Sequence, residues 1–380
     1  MVLPDLGTLL RAPPWWDHPT PDWRSELARP LSAIYTAGCL VREACATAPA
    51  RAAAPVVCVG SALVGGAGKT PTCLALAQRL AARRPELKVH VLARGYGGRA
   101  RGPLRVDPLR HDAASVGDEP LLLAQMAPTW VGARRAETAA AACNSGADLL
   151  LMDDGLQHPT LHRDVGLLCV DAAYLLGNGR VMPAGPLREP LARTLARSDA
   201  VIAIVQPAAA LTIGPPGLAS DHARSSFSSL PTAGRRETDA LRTALGLPEA
   251  MPLLRAVLEP EPPAAAALAN MPVVAFSGTA RPERFFDTLR ALGCAFPCPP
   301  CALPDHAPLP PALLDELRKR AARHHALLVT TSKDAARLPP DEREGIAVLP
   351  VSLRWLGDSG RAIDDLLDEA HRRHLGGRAD

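Results

Sequence analysis

A short apolar run of β-branched type, Pro55 to Val59, leads directly into a glycine-rich turn, Gly60 to Gly68. A helical segment over 71–83 follows, with Leu74, Ala77, Leu80 and Ala81 on one side. No other stretch constrains the fold so tightly. Glycines let successive backbone N–H groups curl around an anion, and the following helix points its N-terminus at the same place. Lys69 is spaced to reach the β- and γ-phosphates of a nucleotide, and the Thr70 hydroxyl to meet Mg²⁺. The full phosphate-loop pattern asks for a glycine where Leu63 stands, yet strand and helix lie where the loop requires them. Gly65, Gly66, Ala67, Gly68, Lys69 and Thr70 therefore read as a phosphate-binding loop. The plainer alternative is a glycine turn with a surface lysine. A dinucleotide fingerprint fails, because its third glycine falls on Pro71.

The rest of the chain alternates short apolar runs with helical patterns. Val89–Leu92, Ala147–Met152, Val165–Val170 and Ala200–Val205 read as strands, with helices over 121–127 and 134–145. A second block has strands at Val273–Phe276, Ala326–Thr330 and Ala347–Val351, and helices over 282–292, 311–325 and 362–373. This predicts an α/β fold: a phosphate-loop NTPase-like, mostly parallel sheet with a second, smaller α/β lobe. The expected division is 1–46 as an N-terminal segment, 47–205 as the core, 206–270 as linker and insertion, and 271–380 as the second lobe with its C-terminal helix. At about 150 residues per domain, the 380 residues fit two lobes.

Composition narrows the function. With 47% hydrophobic residues the chain has material for a core, and with 3% aromatics it lacks a stacking platform for single-stranded nucleic acid. Forty-two Lys and Arg against 39 Asp and Glu leave no basic excess for a nucleic-acid partner. Nine scattered cysteines do not form a secreted disulfide framework. No run of eighteen apolar residues predicts a membrane span, and the N-terminus does not read as a secretory leader. Residues 28–46 carry an uneven apolar stripe of Leu31, Ile34, Tyr35, Leu40 and Val41. That helix either packs on the core or lies on a membrane, with Trp15 and Trp16 at the interface.

Several polar groups punctuate these elements. Asp153 and Asp154 close an apolar strand, where phosphate-loop enzymes hold a magnesium shell; an ordinary Asp-Asp-Gly turn is the alternative. Asp118 and Glu119 precede an apolar helix, which Asp118 could simply cap. Acting as base or metal ligand would require them to come near the loop in space. Arg94, Gln157, His158 and Arg188 lie in further polar clusters suited to clamping phosphate. Asp305-His306 could pair to tune a base, or be a surface pair. Cys294, Cys298 and Cys301 near His306 permit a zinc site but lack a second Cys-x-x-Cys.

Taken together, these motifs resemble the tetraacyldisaccharide 4'-kinase family. The likeness runs through Val56–Gly60, Val64–Pro71, Arg94–Gly98, Val116–Pro120, Asp153–His158, Arg163-Asp164, Pro183–Glu189, Ala280–Phe286, Asp305-His306 and Thr331–Asp334, in that order. It implies ATP and Mg²⁺ as cofactors, and γ-phosphoryl transfer to the 4'-hydroxyl of an acylated glucosamine disaccharide 1-phosphate in lipid A biosynthesis. It implies Asp118 as catalytic base with His306 as its partner, Lys69 as a phosphate-neutralising cation, and Thr70, Glu119, Asp153 and Asp154 around the metal. It also implies Arg94, Gln157, His158 and Arg188 as substrate contacts. The expected partners are the lipid substrate and a peripheral membrane surface, with no nucleic acid and no obligate protein. The expected location is the cytoplasmic face of the inner membrane in a bacterium, or an organelle in a photosynthetic eukaryote. Ser61, Ala67 and Ala307 depart from the family's common asparagine, threonine and second histidine. Alternatives are a phosphate-loop kinase or NTPase of another substrate class, or a weakly active nucleotide-binding homologue.

Overall fold

The structure, a computed structural model, describes residues 13–205, 235–305, 307 and 309–376. Its strands in chain order are β1 (Val56–Gly60), β2 (Val89–Ala93), β3 (Leu104–Arg105), β4 (Thr129–Val131), β5 (Leu149–Asp153), β6 (Val165–Asp171) and β7 (Ala200–Val205). They continue with β8 (Leu253–Pro260), β9 (Val273–Ser277), β10 (Cys301–Ala302), β11 (Leu327–Thr331), β12 (Ile346–Leu349) and β13 (Val351–Trp355). Nine form one sheet in the order β13-β8-β7-β6-β1-β5-β2-β4-β3, and four form a second in the order β10-β9-β11-β12. The small sheet is parallel throughout, whereas the large one has antiparallel strands only at its two edges, β13 and β3.

Strand β1 lies centrally, parallel to β5 on one side and β6 on the other. Its side chains alternate between two cores. Val57 and Val59 face Leu76 and Leu80 of the helix Lys69–Arg83. Val56 and Cys58 pack with Leu150, Met152 and Leu156 on the opposite face. A strand buried on both sides has no polar position to spare, which is why it reads as a continuous apolar run. The carboxyl ends of β1 and β5 thus open side by side, where the strand order reverses and ligands bind in open α/β sheets.

Three expectations need correction. Residues 206–270 are not all linker: β8 is an inner strand between β7 and β13, and helices span Arg235–Ala244 and Pro262–Leu268. The part over 206–234 lies outside the described residues. The expected last strand, Ala347–Val351, is two strands split at Pro350 and placed in different sheets. In consequence, residues 271–380 are not one lobe. Strand β13 and the helix Ser359–Gly376 return to the large sheet, where Ile363, Leu367 and Ala370 join the core under β1. The chain crosses between lobes at Pro260–Glu261 and again at Pro350–Val351, and the Glu261 N–H donates to the Pro350 carbonyl at 2.9 Å.

Candidate active site

The phosphate loop forms as its sequence implies. Gly68 caps the helix Lys69–Arg83 in the left-handed region with φ 78°, and a side chain there would collide with Ile204. Lys69 is buried; its Nζ lies 3.4 Å from the Gly65 carbonyl and 3.8 Å from Asp154 Oδ2. The Thr70 hydroxyl donates to Asp153 Oδ2 at 3.1 Å.

The two adjacent acids take different roles. Asp153 pairs in register with Val59 and is buried beneath the loop. Burial first, then the Glu119 and Asp154 carboxylates, push its pKa up to about 7. Among the described residues its Oδ1 has no hydrogen-bond partner. Asp154 has positive φ, 55°, and turns the other way, into a two-bond fork from Arg188 at 2.7 and 2.8 Å. Burial opposes its ionisation, but the Lys69 and Arg188 cations prevail and hold it below the usual carboxylate range.

Behind these acids sits Arg135, fully buried in an alanine-rich helix, with Nη2 3.4 Å from the Asp153 carbonyl. Gln157 donates to the Ser61 carbonyl at 3.0 Å, bracing the loop's entry. His158 is pushed down to about 4 by burial and then by Arg135, Arg94, Arg42 and Arg163, so its imidazole is neutral at pH 7. Arg94 lines the same cleft.

The other wall forms where large-lobe acids meet basic residues of the second lobe. Asp118 begins the helix Asp118–Ala124 and is buried. Its Oδ2 receives Arg337 Nε at 2.7 Å, and its Oδ1 accepts the Glu119 N–H at 2.9 Å. Glu119 accepts from Lys333 Nζ at 3.3 Å, and Asp305 from the same ammonium at 3.4 Å. Burial disfavours charge on Lys333, yet Glu119, Asp305 and Asp118 outweigh it and raise its pKa. Arg281 and Arg284 both pair with buried Asp171 at the end of β6. The expected Asp118–His306 meeting lies outside the described residues on the histidine side.

Sequence reading missed Arg135, Lys333, Arg337 and the Asp171 pair as site residues. Arg135, at the start of its helix beside Arg134, left no local signal; Lys333, Arg281 and Arg284 lie in motif blocks shared with the family, but only the folded lobes show which groups they meet. The zinc reading gains no support from the described residues: Cys294 is buried and its thiol donates to the Leu268 carbonyl, while Cys298 and Cys301 pack against an apolar core.

The N-terminal helix spans Trp23–Ala44, starting earlier than expected because the Asp22 side chain caps it by accepting from Ser25 N. One face is tied down: Ser25 donates to the Ala184 carbonyl at 2.7 Å and Ser32 to Val181 at 2.8 Å. Its C-terminal end meets Arg193 and Arg197 through Glu43, and Tyr35, Cys39 and Arg42 line the cleft. The opposite face exposes Trp23, Leu27, Leu31, Ile34 and Val41. Trp16, expected at an interface, is instead buried and donates to the Pro183 carbonyl. Lys69, Asp153, Glu119, His158, Arg188 and Lys333 border one cleft of about 1720 Å³ reaching from the N-terminal helix across the phosphate loop to the second lobe, while Asp118 and Arg337 lie buried behind its wall.

A model of the tetraacyldisaccharide-1-P 4'-kinase family matches residues 24–371. The tetraacyldisaccharide 4'-kinase of Dinoroseobacter shibae is 44% identical over 373 residues, covering 96% of this chain and 100% of its own. That of Rhodospirillum centenum is 45% identical over 350 residues, covering 91% and 93%. Among solved structures, LpxK from Aquifex aeolicus, crystallised in complex with ATP, superposes with a TM-score of 0.65 at 22% identity, covering 91% of this chain and 99% of its own. That likeness is one of fold, and it includes both the large, mostly parallel sheet and the smaller lobe. With the family matched over nearly its whole length, and its motifs gathered around a single cleft, this chain belongs to the tetraacyldisaccharide 4'-kinase family.

Proposed function

We infer that this chain transfers the γ-phosphoryl group of ATP to the 4'-hydroxyl of a tetraacylated glucosamine disaccharide 1-phosphate, a step of lipid A biosynthesis. The observation that carries the chemistry is the juxtaposition of Lys69, Thr70 and Asp153 at the mouth of β1 and β5, with Glu119, next to Asp118 in the chain, facing the same cleft. The cleft of about 1720 Å³ exceeds the roughly 300–1,000 Å³ that one small ligand usually occupies, so two substrates fit together.

The residues suit a magnesium ion. Asp153 offers a buried oxygen without a hydrogen-bond partner among the described residues, and Thr70 a hydroxyl beside it. Among the described residues no three His, Cys, Asp or Glu side chains gather into a metal set. Magnesium commonly keeps several waters and is held through one or two protein carboxylates beside substrate phosphates. Thr70 and Asp153 would hold it, with Glu119 facing the same space; bound there, it supplies neutralisation of phosphate charge. Asp154 serves instead to anchor Lys69 and Arg188.

In the transfer, the acceptor oxygen forms a bond to the γ-phosphorus while the bond to the β–γ bridging oxygen breaks. Asp118 takes the hydroxyl proton, with His306 as its proposed partner. Lys69 and the loop N–H groups stabilise charge on the phosphoryl oxygens as it moves. Arg94, Gln157, His158 and Arg188 border the acceptor side. The membrane reading rests on the exposed apolar stripe of the helix Trp23–Ala44 beside the cleft mouth. No helix among the described residues is long and apolar enough to cross a membrane. On this reading the chain lies peripherally on a membrane through that stripe, and its likeness to the family points to the cytoplasmic face of the inner membrane in a bacterium.

The test is incubation of purified protein with ATP, Mg²⁺ and the tetraacyl acceptor, with Lys69→Ala as control. We expect a 4'-phosphorylated lipid, with turnover about 10²-fold lower or worse in the variant. ATP hydrolysis unaffected by acceptor, with no phosphorylated lipid, would return the chain to a general NTPase.

A further inference from the structure

We propose that Arg337 is a positioning residue for the transfer reaction: from the second lobe it sets the direction of the Asp118 carboxylate, so that the base is aimed only when the two lobes are together. This rests on the reading of Asp118 as the base.

Arg337 ends the short helix Ser332–Arg337, and its side chain is only 9% exposed. Its Nε and Nη2 both lie 2.7 Å from Asp118 Oδ2. Its Nη1 donates to the Gly278 carbonyl at 2.9 Å and to Asp334 Oδ1 at 3.0 Å. Three acceptors on one planar fork leave the guanidinium little rotational freedom. The acceptors in the second lobe are themselves fixed. Asp334 Oδ1 also accepts the Gly278 N–H at 3.0 Å, and its Oδ2 accepts the Thr331 hydroxyl at 2.7 Å. Rigid second-lobe backbone therefore reaches the large-lobe carboxylate through one side chain. Oδ1 of Asp118 is oriented from its own lobe by the Glu119 N–H.

Gly278 belongs to the same device. A Cβ there would lie 2.9 Å from Arg337 Nη1 and 3.1 Å from Asp334 Oδ1, while its backbone lies outside the left-handed region. Alanine at 278 suits that backbone conformation, but its Cβ would also lie 3.2 Å from the Pro304 carbonyl, and it displaces the guanidinium. A displacement near 1 Å at a reacting group can cost about 10²-fold in rate.

The experiment compares Arg337→Met, Arg337→Lys and Gly278→Ala, each in the native and the Asp118→Asn background. The readouts are single-turnover rate at saturating ATP, Mg²⁺ and acceptor, and the KM for ATP. We expect R337M to lower the rate about 10²-fold with KM changed less than about threefold, and R337K to recover part of the loss. G278A should reproduce the loss with the arginine present. In the D118N background R337M should cost less than about threefold, because the group it aims is already disabled. An equal cost of R337M in both backgrounds, a native rate in R337M, or a loss confined to KM would overturn the proposal. If R337M does not fold, R337K and G278A, which keep the buried cation, decide in the same two backgrounds. A native rate in D118N alone would overturn the reading of the base itself, independently of any change at 337.

Discussion

Asp153 concentrates the electrostatics of the site in one side chain. Buried under the phosphate loop and facing Glu119 and Asp154, it keeps its proton up to about pH 7, whereas an unfolded aspartate releases it near pH 4. Between those values the folded chain binds the extra proton, so this group makes stability fall as pH rises through that window. Asp153→Asn has no such proton to lose. In metal-free buffer, denaturant unfolding should therefore show D153N gaining on the native chain by a few kcal/mol between pH 5 and pH 8. A difference constant with pH would contradict the assignment. The position of this acid was legible, because an apolar strand ending in Asp-Asp beside a phosphate loop has few other uses. Its proton affinity was not, since Glu119 comes from a segment more than thirty residues away. The different fate of Asp154 was equally hidden: it follows from a positive φ and from Arg188 arriving on a later loop.

At the scale of one element, the helix Trp23–Ala44 is two-sided. Serines and Glu43 lock one face to the body of the protein, while Leu27, Leu31 and Ile34 project outward at helical spacing. An exposed apolar row beside the opening of a lipid-sized cleft is suited to a bilayer surface. Changing Leu27, Leu31 and Ile34 together to serine should weaken flotation with phospholipid vesicles about 10²-fold, given roughly 1 kcal/mol or more for each side chain withdrawn from lipid. Thermal stability should stay nearly unchanged, because the three side chains are already exposed in the fold. Equal flotation of variant and native chains would remove the membrane role. The stripe was visible in the sequence only in outline. Periodicity found Leu31 and Ile34, but nothing local said that Trp16 is buried while Trp23 is exposed, because Pro183 comes from a distant loop.

For the molecule as a whole, the lobes are joined covalently at one side of the cleft and ionically at others. The two crossings, near Pro260 and Pro350, are hydrogen-bonded to each other. Across the cleft, Asp171 holds Arg281 and Arg284, and Arg281 also lies over the Tyr174 ring at 3.6 Å. Asp171 is almost fully buried, so neutralising it leaves two neighbouring arginines without their counter-charge. Asp171→Asn should lower stability by about 2 kcal/mol, less than a fully buried pair because the arginines keep some solvent. A lowered urea midpoint at unchanged slope is the expected result, and an unchanged midpoint would show that the latch is idle.

Local pattern was sufficient for the phosphate loop, its strand and helix, the acids at the end of β5 and the α/β class. Each depends on neighbours in sequence: glycine freedom, helical spacing, and the unbroken apolar run of a strand buried on both faces. Family motifs extended this to the reaction. Tertiary structure alone decided that β8 and β13 belong to the large sheet, that Pro350 divides two strands between two sheets, and that the chain crosses twice between lobes. It alone brought Lys333 to Glu119 and Arg337 to Asp118, residues over two hundred positions apart. A surface arginine and a buried one that aims a carboxylate have the same local sequence. What separates them is the desolvation and the partner that only packing supplies.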